Sequence, residues 1–378
     1  MKKVILFAAC ASLMASSAVA QMSLVKDVAK LASSSKVEDL QTALDKIQPA
    51  LTNPETKNDA QAWFLAGKAA FGIYDKMFAS KSLGQQVDAA LMENALTKGF
   101  DYLQKALPLD SVKETNKDGS FKLDKNGQPK IKTKFSKDII PMLTGHITDI
   151  ATIGNDALGT ENWATAASAF GKYADIASSA FAKEQGIMVA DSIMGQVRFF
   201  QGYSQYNLKE FLNAYDSFSK ARKLGYTDNN IVEFTTSSLA NHVQSFIDKQ
   251  DYASANAFVD NALAGEQNNA TLFDIKGFVT ELQSGVDAAL PFYKKATQLD
   301  NNYANGFFDA GRCLYLQANQ IIEDNPTATN AQLKDKLVPI YNEAKPFLER
   351  TLAIDPNNTK AKQVLDDINY KLELMGVK

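Results

Sequence analysis

A spacing of 34 residues constrains this chain more than any other feature. Ala255, Val259 and Ala262 fall at i, i+4 and i+7, one helical face punctuated by small residues. The same face returns 34 residues later as Ala289, Tyr293 and Ala296. Upstream it is written as Phe211, Ala214, Phe218 and Ala221, and as Trp163, Ala166 and Phe170. Near the end it reads Ala344, Leu348 and Leu352, closed by Asp355-Pro356-Asn357-Asn358. A period of this length marks stacked units, each too thin to bury its own apolar stripe.

These residues carry a resemblance to the tetratricopeptide repeat (TPR) family, whose unit is a pair of antiparallel helices. Gly67, Gly154, Gly202, Gly277 and Gly311 all fall at the family's small position 8, and Ala166, Ala214 and Ala289 follow three of them at position 20. Trp63 takes the family's tryptophan and Pro356 its closing proline. Units starting at Thr236, Ala270 and Ala304 abut, although Val243 stands where the first of them should be small. The resemblance implies an all-α fold, an α-α superhelix of about seven helical pairs. Small residues at positions 8 and 20 are expected to face each other and bring the two backbones close.

The organisation expected is a degenerate first repeat and an elongated second one within 21–110, a Lys-rich insertion at 111–138, a repeat array over 139–358 and a capping helix over 359–378. The insertion breaks the helical pattern. Eight lysines and four acids give it a net charge of +4, against −3 for the whole chain. Asp118-Gly119 and Asn126-Gly127 sit between short alternating runs, which reads as a small β-hairpin or meander with tight two-residue turns, or a loop. As a calcium loop it fails, because Lys125 or Thr133 falls where a bidentate glutamate belongs.

Residues 1–20 read as a signal peptide: Lys2 and Lys3, an apolar run from Val4 to Leu13, and Ala18-Val19-Ala20 before Gln21. The rival reading, a lipid-modified Cys10, has too little apolar sequence before it. Removal takes the formal charge from −3 to −5 and leaves Cys313 as the one cysteine, so no internal disulfide is available. An exported protein, periplasmic or extracellular, is expected. No later run approaches the eighteen apolar residues of a membrane span, and the acidic balance gives no footprint for nucleic acid.

Catalytic and cofactor motifs are wanting: no phosphate loop, no HExxH, no GxSxG. His146, His242 and Cys313 lie in different repeats, which suits buried structural roles rather than a thiol nucleophile or a zinc site. No cofactor and no metal are expected, and the chain does not read as an enzyme. In the family, first-helix positions 2, 5, 9, 12 and 13 line a concave groove. Here the resemblance places Phe199, Tyr203, Tyr206 and Asn207 there in one unit, Phe308, Arg312, Tyr315 and Leu316 in the last, and Phe278 and Asp274 between. Aromatic residues and arginine anchor recognition surfaces. The family's carboxylate clamp is not reproduced, since only Asn155, Lys68 and Arg312 occur in comparable places. The leading expectation is an exported scaffold that binds a protein or peptide in the groove. Capture of a small ligand or oligosaccharide by the same aromatics, or a structural role in envelope assembly, are the alternatives.

Overall fold

A computed structural model of the chain describes residues 24–227 and 230–377. The expected leader at 1–20, with Cys10, lies outside the described residues. The described residues are all-α apart from one small antiparallel β element. It divides into two compact units. The first runs to Leu208 and also takes Lys220–Tyr226; the second takes Lys209–Ser219 and continues from Thr227.

In the first unit the helices are α1 (residues 24–31), α2 (Val37–Thr52), α3 (Ala60–Ser82), α4 (Ala89–Leu109), α5 (Ser136–Gly159), α6 (Trp163–Ala177), the short α7 (Ala180–Glu184) and α8 (Asp191–Asn207). In α2, Leu40, Ala43, Ile47 and Ala50 make one buried stripe at helical spacing. Helix α3 is apolar nearly all round because α2 covers one side and α4 the other. Aspartates start two of these helices: Asp59 accepts from the Gln61 N–H at 2.9 Å, and Asp88 from that of Leu91 at 3.0 Å.

The second unit begins in α9 (Phe211–Lys223) and holds α10 (Ile231–Ile247), α11 (Tyr252–Gly265), α12 (Ala270–Ser284), α13 (Val286–Leu299), α14 (Ala304–Glu323), α15 (Asn330–Ile354) and α16 (Thr359–Leu374). Asp251, Asn269 and Asn358 cap α11, α12 and α16, and Thr329 with Gln332 forms a capping box on α15. The buried residues of α16 are Ala361, Ile368 and Leu372. Its outer face carries Lys362, Gln363, Asp366 and Glu373, but also exposed Tyr370 and Leu374.

The glycines do their work differently from the expectation. A Cβ on Gly277 would lie 2.6 Å from the Tyr293 ring, and one on Gly154 would lie 2.9 Å from the Phe170 ring. Gly311 stands in the same relation to Leu348, at 2.8 Å. In the repeat frame these partners occupy position 24, not position 20. The small residue therefore makes a seat for a large side chain of the facing helix, while Ala166 and Ala289 are buried beside it. In α3 and α4 the device is doubled: Leu103 fills the hole at Gly67, and Phe71 fills the hole at Gly99. That crossed pairing fixes the two helices as antiparallel.

Three of the turns inside hairpins carry a non-glycine residue in the left-handed region: Glu161 at φ 56°, Lys209 at 61° and Gln250 at 57°. Each stands two residues before a second helix. Between α12 and α13 the turn shrinks to Gly285 alone, at φ 85°.

The Lys-rich insertion is a small meander. Strands β1 (Val112–Lys113) and β2 (Ile131–Lys132) pair antiparallel, with further bridges from Thr115 to Phe121 and from Leu123 to Pro129. The expected two-residue turns are three-residue loops instead. Asn116 closes on Ser120 and Asp124 on Gln128, and only the glycines, Gly119 at φ 85° and Gly127 at φ 76°, take positive φ. The neck is tied by Asp110, whose carboxylate accepts from the backbone N–H groups of Lys134, Phe135 and Ser136 at 2.7–3.0 Å.

Candidate functional site

The strongest polar constellation in the second unit lies on α12 and α14. Arg312 makes a two-pronged pair with Glu281 at 2.8 and 2.7 Å and also donates to Asp309 at 3.0 Å. Tyr293 donates its hydroxyl to Glu281 at 2.9 Å, and Tyr303 donates to Asp274 at 2.9 Å. Burial alone would raise the Glu281 pKa, but the Arg312 guanidinium outweighs it and holds the carboxyl low. Asp274 has no such cation in contact. Burial, followed by the charge of Asp309, pushes its pKa up to about 7. Burial likewise raises Asp309 against the pull of Arg312. Two carboxylates thus hold one guanidinium, and the second oxygen of the third, Asp274, is buried without a hydrogen-bond partner. Of this network Asp274 and Arg312 are anticipated in the sequence. Glu281 and Asp309 are not, although Glu281 stands at groove position 12 of its unit.

Phe278 and Leu282 share the face of α12 that carries this network's edge, at i and i+4, and stand 45% and 40% exposed. Phe308 is half-buried and packs against the apolar core of its unit. The hydroxyl of Tyr315 is committed to Asp367 of α16 at 2.7 Å, and the Lys371 ammonium lies over its ring at 4.9 Å. Arg312 and Tyr315, both expected to face a ligand, are therefore already engaged inside the unit.

The remaining predicted residues lie on α8 of the first unit. Phe199 is buried, stacked on Tyr226 at 4.9 Å, which corrects its assignment to an open groove. The Tyr226 ring takes the space over it. Tyr203 is half-buried with its ring edge-on to Trp163 at 5.7 Å. Tyr206 is half-buried, and exposed Asn207 donates back to the Tyr203 carbonyl at 2.8 Å. The candidate set therefore splits into one group on α8 and another on α12 and α14.

Cys313 is buried, and burial followed by the Glu281 charge pushes its thiol up to about 12, the opposite of an activated nucleophile. His146 is half-buried, stacked on Phe71 at 4.2 Å, and bonded to Asp75 at 2.9 Å. Burial would lower its pKa, but Asp75 and the Met142 carbonyl together raise it. His242 packs against Phe246 and Phe258, and burial lowers its pKa. Among the described residues no group of three or more His, Cys, Asp or Glu side chains is placed to hold a metal ion. None of their helices is long and apolar enough to cross a membrane.

No family model matches the chain, and no curated protein matches it. Solved structures do. A TPR repeats protein from Bacteroides fragilis is 18% identical with a TM-score of 0.37, over 59% of this chain and 98% of the other. The C-terminal part of a TPR repeat-containing protein from Cytophaga hutchinsonii is 12% identical with a TM-score of 0.34, over 92% and 99%. YrrB, described as a TPR protein with an unusual peptide-binding site, is 15% identical with a TM-score of 0.32, over 58% and 96%.

Proposed function

We propose that this chain, an array of tetratricopeptide-type helical hairpins, is an exported scaffold that binds a protein or peptide segment along α12 and α14. One observation carries the reading. Phe278 and Leu282 present an apolar step on α12 directly beside a carboxylate-rich network in which Arg312 is already satisfied by Glu281. A segment with one apolar and one basic side chain suits that surface. The apolar group covers Phe278 and Leu282, and the basic group supplies the contacting cation that Asp274 lacks. Exposed aromatic and apolar anchors beside polar groups are the usual make-up of such contacts.

The test is affinity capture from an extract of the producing cells, with the mature protein as bait and Phe278→Ala plus Leu282→Ala as the control bait. A partner retained by the first and lost from the second, with identical circular dichroism, supports the reading. Recovery of the same set on both baits counts against it. Export has its own check: the protein isolated from outside the cytoplasm should begin at Gln21.

A second reading is supported by a separate feature of the first unit. A cleft of about 620 Å³ between α2, α3 and α4 is lined by Glu38, Gln41, Asp45, Gln48, Lys98 and Tyr102. Alternating donors and acceptors beside one aromatic ring suit a sugar. Calorimetry with a glycan panel separates the two readings, since saturable heat abolished by Gln48→Ala places a small ligand in this cleft.

A further inference from the structure

We propose that the Lys-rich meander between α4 and α5 docks on an anionic phospholipid surface. The proposal is independent of the reading for α12 and α14.

Register decides which side chains share a side. Residues opposite each other across a ladder lie on one face, and so do residues two apart in a strand. Lys113 lies opposite Ile131, Thr115 opposite Phe121, and Leu123 opposite Pro129. Steps of two then link Lys113 to Thr115, Phe121 to Leu123, and Pro129 to Ile131. All six therefore fall on one side. On that side Phe121, Leu123 and Ile131 stand 50%, 61% and 48% exposed.

The backbone under them is regular. The Glu114 N–H donates to the Lys130 carbonyl, the Lys122 N–H to the Glu114 carbonyl, and the Lys130 N–H to the Lys122 carbonyl, all at 2.7–2.9 Å. The three residues are spaced by eight, and Asn116-Lys117-Asp118-Gly119 returns eight residues later as Asp124-Lys125-Asn126-Gly127. The two loops close with the same hydrogen bonds. The apolar side chains are thus displayed by a closed, repeated frame.

Charge selects the occupant. The segment carries eight lysines and four acids within a chain whose overall charge is −3. The Lys113 ammonium lies over the Phe121 ring at 5.1 Å on the apolar side, while Lys122 makes a loose pair with Glu114 at 3.4 Å on the other. Long ammonium side chains around exposed aromatic and aliphatic groups match the boundary between headgroups and acyl chains. There the apolar tips bury and the cations meet lipid phosphate. An acidic polypeptide would use the lysines but leave Phe121, Leu123 and Ile131 in water, and for that reason the lipid surface is favoured.

Flotation tests it, using vesicles of equal parts phosphatidylglycerol and phosphatidylcholine against vesicles of phosphatidylcholine alone. The full chain should float with the first and not the second, and the interaction should weaken with added salt. Phe121→Ser plus Leu123→Ser should remove most of the binding, and Lys113→Gln, on the same side, should weaken it about fivefold. Unchanged circular dichroism and thermal midpoint establish that these exposed substitutions leave the helices intact. The proposal is overturned if the wild-type chain fails to float with the anionic vesicles, or if the serine variant floats as well as wild type. It is also overturned if polyglutamate binds as tightly as the vesicles, with the serine variant equal to wild type.

Discussion

Tyr293 lays its ring over Gly277, sixteen residues earlier, and donates its hydroxyl to Glu281 one turn further along the same helix. A glycine thus gives the tyrosine its depth, and a carboxylate satisfies the polar end that depth would otherwise strand. Filling the seat should be costly. Gly277→Val is expected to destabilise the second unit by about 1–3 kcal/mol through overpacking. In a Tyr293→Ala background the same change should cost much less, because the ring it strikes is gone. Urea unfolding of the four proteins of the cycle measures the coupling. Equal costs in both backgrounds would mean that the seat is not what makes glycine necessary.

The turn residues Glu161 and Gln250 hold φ values that glycine takes freely. A side chain there strains against the following carbonyl. Glu161→Gly and Gln250→Gly should each stabilise their unit by about 0.5–1 kcal/mol, less what glycine loses in the unfolded chain. Gln250→Ala is the control, since it shortens the side chain but keeps the Cβ, and it should gain little. Thermal unfolding of the three variants reads the difference.

Hairpin type and repeat period are legible before any coordinates, because small and large residues recur in phase from Trp163 to Leu352. The roles within the hairpin are not. Spacing shows that Gly277, Ala289 and Tyr293 belong to one interface, but only the facing helix shows that the glycine meets position 24. Helix α15 runs from Asn330 to Ile354 straight through Pro339 and Pro346, which local rules treat as breaks. Leu333, Leu337, Tyr341, Ala344 and Leu348, all buried along one stripe, hold it together. The candidate site was legible only as positions. Phe278 is exposed, whereas Phe199 is covered by Tyr226, and Tyr315 is held by Asp367, fifty-two residues on. Such long-range partners leave no periodic trace.

Asp110 joins the meander to the array. It is buried, and its pKa would rise for that reason, yet hydrogen bonds from Ser136, Lys134 and Phe135 hold it below the usual carboxylate range. A depressed pKa contributes stability above the unfolded value and loses it as pH falls through the folded one. Asp110→Ala should cost about 1–3 kcal/mol near neutral pH, leaving the first turn of α5 uncapped. The gap between wild type and variant should close in acid. Melting curves across pH check both parts, and a gap that persists in strong acid would mean that the carboxylate charge is not responsible.

Asp274 gives the opposite sign. Its folded pKa of about 7 stands well above the ordinary aspartate value of 3.8. Between those values the folded state holds a proton that the unfolded chain has lost, so stability falls as pH rises through that window. The loss levels off above about 7, at an order of a few kcal/mol. Asp274→Asn keeps an acceptor for the Tyr303 hydroxyl and removes the buried charge. It should therefore melt above wild type at pH 8, with the two converging near pH 4. Asp309 titrates beside it and feels its charge, so the difference between the curves reports Asp274 together with its coupling to Asp309. A basic peptide bound at α12 and α14 should reverse the ranking. By supplying the missing cation it favours the ionised carboxylate, so wild type should gain more thermal stability from the peptide at pH 8 than the asparagine variant. An equal gain in the two would place the peptide's charge elsewhere.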